Sequence, residues 1–239
     1  MAQEKGDFHM WPFRDHDSKM TAEELEKLME EANRAFEGPQ PDYRKALKLY
    51  KRAVKKKNGL AACRLGMLYA AGKGTLSNYS KAVDNFRDAI DWGEIDACNK
   101  LALMYDAGRG VGQNSARCVD LYRDGMDEGS LESINNLGYM YEHGRGMPKN
   151  YEMARKLYEV AASAGIVASM RHLGSVYEFG KGVEVDLEAA KDWYRQAAEK
   201  GDKKAEKYHA KIEAGETPSH PDVDPDHASI VDILETTIR

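Results

Sequence analysis

The chain has 239 residues, 42% hydrophobic and 31% charged, a balance that excludes a disordered polymer and predicts a soluble protein with a substantial core. Its net charge of −5 gives no general attraction to nucleic acid, and no run approaches the ~18 apolar residues of a membrane-spanning helix. Three cysteines, Cys63, Cys98 and Cys118, form neither a CxxC pair nor an even framework, which predicts a reducing compartment and a cytoplasmic protein.

Residues 1–20 lack the uninterrupted apolar run of a signal peptide. They carry the cluster FHMWPF (8–13), which has no helical period and predicts an irregular aromatic arm, with Trp11 and Phe13 as candidate contacts for the first helices or for a partner. At 21–58 the spacing predicts a helix hairpin. TAEELEKLMEEANRAF opens with a capping box, Thr21 to Glu24, and continues with a stripe through Leu25, Leu28, Met29, Ala32 and Phe36. The following RKALKLYKRAVKKK (44–57) holds Lys or Arg at eight positions and no acid, and is expected to be a solvated outer face.

From residue 59 the chain repeats itself every 36 residues. Leu65, Leu101, Leu137 and Leu173 are each followed by Gly or Ala and, four residues on, by Tyr69, Tyr105, Tyr141 and Tyr177. Gly-basic-Gly turns stand at 72–74, 108–110, 144–146 and 180–182. Asn78, Asn114, Asn150 and Asp186 then offer N-caps. Second helices follow, with Ala82, Cys118, Ala154 and Ala190 four residues before Phe86, Tyr122, Tyr158 and Tyr194. Gly93, Gly129, Gly165 and Gly201 end them, where a left-handed C′ residue is needed. Asp42, Ala46, Tyr50 and Ala53 occupy the same columns one step earlier, so 21–58 is a degenerate first copy before copies at 59–94, 95–130, 131–166 and 167–201. Residues 202–214 are mostly charged, with Ala205 and His209 in first-helix columns, and predict a terminal capping helix.

The whole of 21–214 is therefore expected to be one all-α solenoid of about five helix hairpins. Beyond it, 215–239 combines a Pro/Asp linker with a short amphipathic segment containing Ile233 and Leu234. A helix that short needs a surface to lie on, either this solenoid or a neighbouring copy, so a monomer is expected, with tail-mediated self-association as the alternative.

The pattern LGxxYxxGxGV, then a cap, then KAxxWYxxAAxxG resembles the Sel1-like repeat, a relative of the tetratricopeptide repeat. RHLGSVYEFGKGVEVDLEAAKDWYRQAAEKG (171–201) carries it most fully. The resemblance implies a right-handed α/α superhelix acting as an adaptor or scaffold for other proteins. By analogy with tetratricopeptide repeats, the first helix of each pair lines the concave face.

Chemistry is not indicated. GRGVG (108–112) follows a helix rather than a strand and has no GK[ST] ending, so it is expected to be a structural turn. No HExxH, GxSxG or SxxK motif occurs, and the histidines show no i,i+4 pair, so no catalytic residue, metal or cofactor is expected. If the core takes the leucine and tyrosine columns, the residues just before each leucine face the groove. These give Arg64, Asn99, Lys100, Asn135, Asn136, Arg171 and His172, with Tyr139 and His143 further along. That row predicts binding of another protein or peptide that is acidic or carries a C-terminal carboxylate, with Arg64, Lys100 and Arg171 supplying charge and the amides bonding backbone. The alternative is an inhibitory or immunity-type subunit that occludes a partner enzyme with the aromatic N-terminal arm.

Overall fold

The computed structural model describes residues 20–216. They form eleven helices and no strand among the described residues. The first pair is α1 (Ala22–Glu37) and α2 (Tyr43–Val54). Then come α3 (Gly59–Ala71) with α4 (Tyr79–Asp91), and α5 (Asp96–Ala107) with α6 (Ser115–Asp127). The last pairs are α7 (Leu131–His143) with α8 (Tyr151–Ser163), and α9 (Val167–Phe179) with α10 (Leu187–Glu199), before the lone α11 (Lys203–Glu213). Each helix packs chiefly on its neighbours in the chain, as an all-α solenoid requires.

Local chemistry sets these boundaries. Thr21 and Glu24 form the capping box at α1, and the side chains of Asp42, Asn78, Asn114, Asn150 and Asp186 each accept the backbone N–H three residues on. Two of the first helices, α5 and α9, begin without a side-chain cap, at Ile95 and Ile166. The exposed α2 residues Arg44, Lys48, Lys51 and Arg52 form the outer face expected of the basic stretch.

Within a hairpin the two helices meet where a small residue faces a ring. A Cβ on Gly66 would stand 2.6 Å from the Phe86 ring, on Gly138 2.8 Å from Tyr158, and on Gly174 2.5 Å from Tyr194. The rings themselves are fully buried. In the second copy Ala102 takes the small position, and Cys118 Sγ donates to its carbonyl at 3.2 Å.

Between hairpins the Gly-basic-Gly turn makes the joint. Its second glycine has φ near +70° and lies on the start of the preceding copy's second helix. A Cβ on Gly146, for example, would fall 2.3 Å from Ser115 O. Gly74 and Gly110 sit likewise on Tyr43 O and Tyr79 O. The core runs unbroken along the stack from Leu28 to Met140, and a second cluster surrounds Tyr158, Leu173 and Tyr194.

Gly174→Ala should therefore destabilise the protein by about 1–3 kcal/mol through overpacking against Tyr194, although the same exchange in an open helix stabilises by roughly 1 kcal/mol. Leu137→Ala, at a site 2% exposed, should cost about 2–5 kcal/mol. Urea denaturation of both variants checks the sign of the first and the size of the second.

Candidate partner-binding groove

The first helices α3, α5, α7 and the start of α9 enclose a groove of about 420 Å³. Leu60, Met67, Leu103 and Ile166 supply its apolar lining, and Arg64, Asn99, Lys100, Asn135 and Asn136 its polar one. Five of the nine residues expected on this face thus come together. The i, i+36 spacing aligns them because each helix restarts at the same point of the repeat.

The amides of the groove are largely buried and tied to one another. Asn99, Lys100 and Asn135 are all at least nine-tenths buried. The amides of α5 and α7 are joined to one another and to a hydroxyl of α9. Asn136 Nδ2 donates to Asn99 Oδ1 at 2.6 Å, Asn135 Nδ2 donates to Asn136 Oδ1 at 3.0 Å, and Ser169 Oγ donates to Asn135 Oδ1 at 2.7 Å. Among the described residues Asn99 Nδ2 donates to no protein group, so one end of this ladder keeps its hydrogen-bonding capacity toward the groove.

Three expected cations behave differently from one another. Arg64 is committed to Glu37 at 2.7 Å and stacks over Phe36. Arg171 Nε donates to Asp202 at 3.0 Å with both side chains largely buried, so it fastens α11 to the solenoid and does not line the groove. Lys100 alone makes no hydrogen bond or ion pair among the described residues, and burial pushes its pKa below the ordinary lysine value. Residues that the sequence reading missed complete the groove: Glu94, Asp96 and Glu132 stand on its rim. The pair Asp96 and Glu132, one repeat apart, is the signal that could have found them.

Tyr139, His143 and His172 lie elsewhere, in a ring cluster. Tyr139 stacks on His143 at 4.1 Å between centroids, and His172 stacks on Tyr158 at 4.8 Å. Trp11, Phe13, Ile233 and Leu234 lie outside the described residues.

The cations of the turns have a role that the repeat alone did not disclose. Arg145 reaches back to Asp106 at 2.6 Å and Lys181 to Glu142 at 2.5 Å, each tying one copy to the one before. Glu142 also accepts from Tyr158 Oη at 2.8 Å. Burial alone would raise the Glu142 pKa, but Lys181, His172 and the Tyr158 hydroxyl hold it below the ordinary carboxylate value. The three thiols are buried and unpaired, and burial pushes Cys63 and Cys118 up to about 12 and Cys98 to about 11. Among the described residues no cluster of three or more His, Cys, Asp or Glu side chains could hold a metal, and no helix is long and apolar enough to cross a membrane.

The sequence pattern of the Sel1 repeat matches residues 35–58, 59–91, 95–123, 131–166 and 167–202. The chain belongs to the Sel1 repeat family. The five matched Sel1 segments reach from α2 to α10, leaving out the end of α6, and so take in the helices that build both the groove and its joints. Among solved structures the chain is similar to a protective antigen of uropathogenic Escherichia coli with an SLR fold, at 28% identity and TM-score 0.71. That match covers 90% of this chain but 45% of the antigen, so the chain spans under half of that protein. A Sel1 repeat protein from Oxalobacter formigenes is 24% identical with TM-score 0.72, covering 95% of this chain and 90% of its own. An immunity protein of Pseudomonas aeruginosa shares the fold at 18% identity and TM-score 0.56, over 90% of this chain and 80% of its own. A search of curated proteins finds no match. The Sel1 repeat fold generally mediates protein–protein interaction.

Lys181→Met should leave Glu142 buried without its cation and cost about 3–5 kcal/mol, whereas the double variant with Glu142→Gln should recover much of that loss. Because the folded Glu142 pKa is depressed, its contribution is full above the unfolded carboxylate value and fades as pH falls through the folded one. Thermal melts from pH 7 downward should show a shallower acid loss for Glu142→Gln than for the wild type.

Proposed function

We propose that this protein is an adaptor that holds an extended segment of a partner protein in the groove of its first helices. The observation that carries this reading is the Asn99–Asn136–Asn135 ladder, a continuous row of amides crossing successive repeats beside an apolar lining. An extended peptide has unpaired N–H and C=O groups along its length, and a row of amides fixed by its own hydrogen bonds meets them without losing side-chain freedom. The buried, hydrogen-bonded state of the amides supports a preorganised site. The rest of the groove supplies the apolar contact that gives such complexes their affinity. We assign the protein to the cytoplasm, where its three free thiols stay reduced.

A second reading is an inhibitory or immunity-type subunit that occludes a partner enzyme. The fold shared with the Pseudomonas aeruginosa immunity protein favours it, and its contact surface would include the aromatic arm with Trp11 and Phe13.

The two readings separate in a quantitative pull-down from native lysate. Asn99→Ala with Asn136→Ala should abolish capture of the partner while the protein stays folded, at a cost of about 1–3 kcal/mol because Asn135 Nδ2 loses its acceptor. Deletion of residues 1–20 should leave capture unchanged. Capture that survives the double variant but is lost with the arm would favour the occluding subunit. Arg171 is left intact in this test because its pairing with Asp202 makes it a fastening for α11.

A further inference from the structure

Lys100 is 9% exposed and lines the groove, yet no acceptor lies within hydrogen-bond or ion-pair reach of its ammonium among the described residues. Other largely buried cations of the molecule are matched: Arg145 with Asp106 at 2.6 Å, Lys181 with Glu142 at 2.5 Å, Arg171 with Asp202 at 3.0 Å. Asp96 and Glu132 act on this ammonium only from beyond ion-pair distance, and a buried ammonium with no anion in contact costs stability. Beside it stands Asn99, whose Nδ2 donates to no protein group.

We propose that Lys100 is the anchor for a single carboxylate of the bound segment, an acidic side chain or a C-terminus, with the Asn99 amide as its second donor. This deepens the groove reading above and rests on it. The surrounding charges narrow the partner further. Glu94, Asp96 and Glu132 edge the groove, and Arg64 is already taken by Glu37. A run of acids or a phosphate backbone would meet three carboxylates on the way in. One carboxylate flanked by neutral or basic residues meets Lys100 at the bottom and the acids on either side. The row expected from sequence to favour an acidic peptide thus selects a peptide with one buried acid and otherwise basic or neutral character.

Removing the charge while keeping the length separates this role from a structural one. Lys100→Met should leave the melting temperature unchanged or raised, since an apolar side chain suits the site better than an unpaired charge. The full chain, with lysine side chains carbon-13 labelled at Cε, is titrated with three probes: Ac-Lys-Gly-Asp-Gly-Lys-NH2, the same peptide with Asn for Asp, and Ac-Lys-Gly-Lys-Gly-OH. The proposal predicts that at least one carboxylate probe moves the Lys100 signal and binds about tenfold or more tighter than the Asn probe, the size of one charge-assisted hydrogen bond. Lys100→Met should erase that difference. A response to the Asp probe alone assigns an internal acid, and a response to the free C-terminus alone assigns a chain end. Binding of both carboxylate probes no tighter than that of the Asn probe would overturn the anchor while leaving the groove in place. So would silence of the Lys100 signal toward all three up to ~10 mM, well above the millimolar affinity expected of a short peptide. The groove itself is judged separately by the pull-down of the Asn99 and Asn136 variant.

Discussion

The close approach of a small residue to a ring, repeated every 36 residues, is the contact on which the rest of this molecule depends. Gly66 on Phe86, Gly138 on Tyr158 and Gly174 on Tyr194 set the distance between the two helices of a hairpin. Because a small residue, Gly or Ala, stands at this position in each copy, successive first helices arrive in register. Register in turn places residues 36 apart side by side, which is how Asn99 and Asn136, one residue off the strict repeat, come to bond across the gap. The groove is thus a consequence of core packing, and its polar row inherits precision from contacts made on the other side of the helix.

A second constraint acts between copies. The turn glycines allow the backbone to rest on the preceding second helix. In the last two joints the cation between them, Arg145 or Lys181, reaches a buried acid 39 residues back, while Lys73 and Arg109 lie over Tyr43 and Tyr79. The acids Asp106, Glu142 and Glu178 form a column of their own. The last of these accepts from Tyr194 Oη at 2.7 Å and makes no ion pair among the described residues, and burial raises its pKa. One repeat beyond Lys181 the sequence has Thr217, so the cationic joint stops where the repeat stops. Arg171 and Asp202 fasten α11 instead, a different device for closing the end of the stack.

The fold was largely legible in the sequence because its determinants are local or strictly periodic. The N-caps, the left-handed glycines and the small-aromatic columns all recur at fixed steps, and the degenerate first copy announces itself through Thr21, Glu24 and Tyr50. The groove was legible in part. Spacing correctly gathers Arg64, Asn99, Lys100, Asn135 and Asn136 on one face, but spacing carries no information on what each side chain meets. That is why Arg171, in the same column as Asn99 and Asn135, turns out to be held by an acid from the cap. Tyr139, His143 and His172 go to a ring cluster for a similar reason, since these rings pack within α7, between α7 and α9, and on Tyr158 of α8. The rim acids Glu94 and Asp96 escaped notice because they sit at a helix start, outside the columns that define the repeat.

Polar residues at this groove are buried and tied to one another, a costly arrangement in a fold whose stability comes from apolar packing. On the adaptor reading proposed above, such a surface is a site held ready for another chain. Site-specific photo-crosslinking tests this most directly, with a benzophenone amino acid placed at Leu60 in the groove lining, outside the amide ladder, or at Val160 on the exposed face of α8. The account predicts that the captured partner crosslinks from position 60 and not from position 160. Crosslinking from 160 alone would contradict it, placing the partner on the second helices and leaving the amide ladder as internal structure.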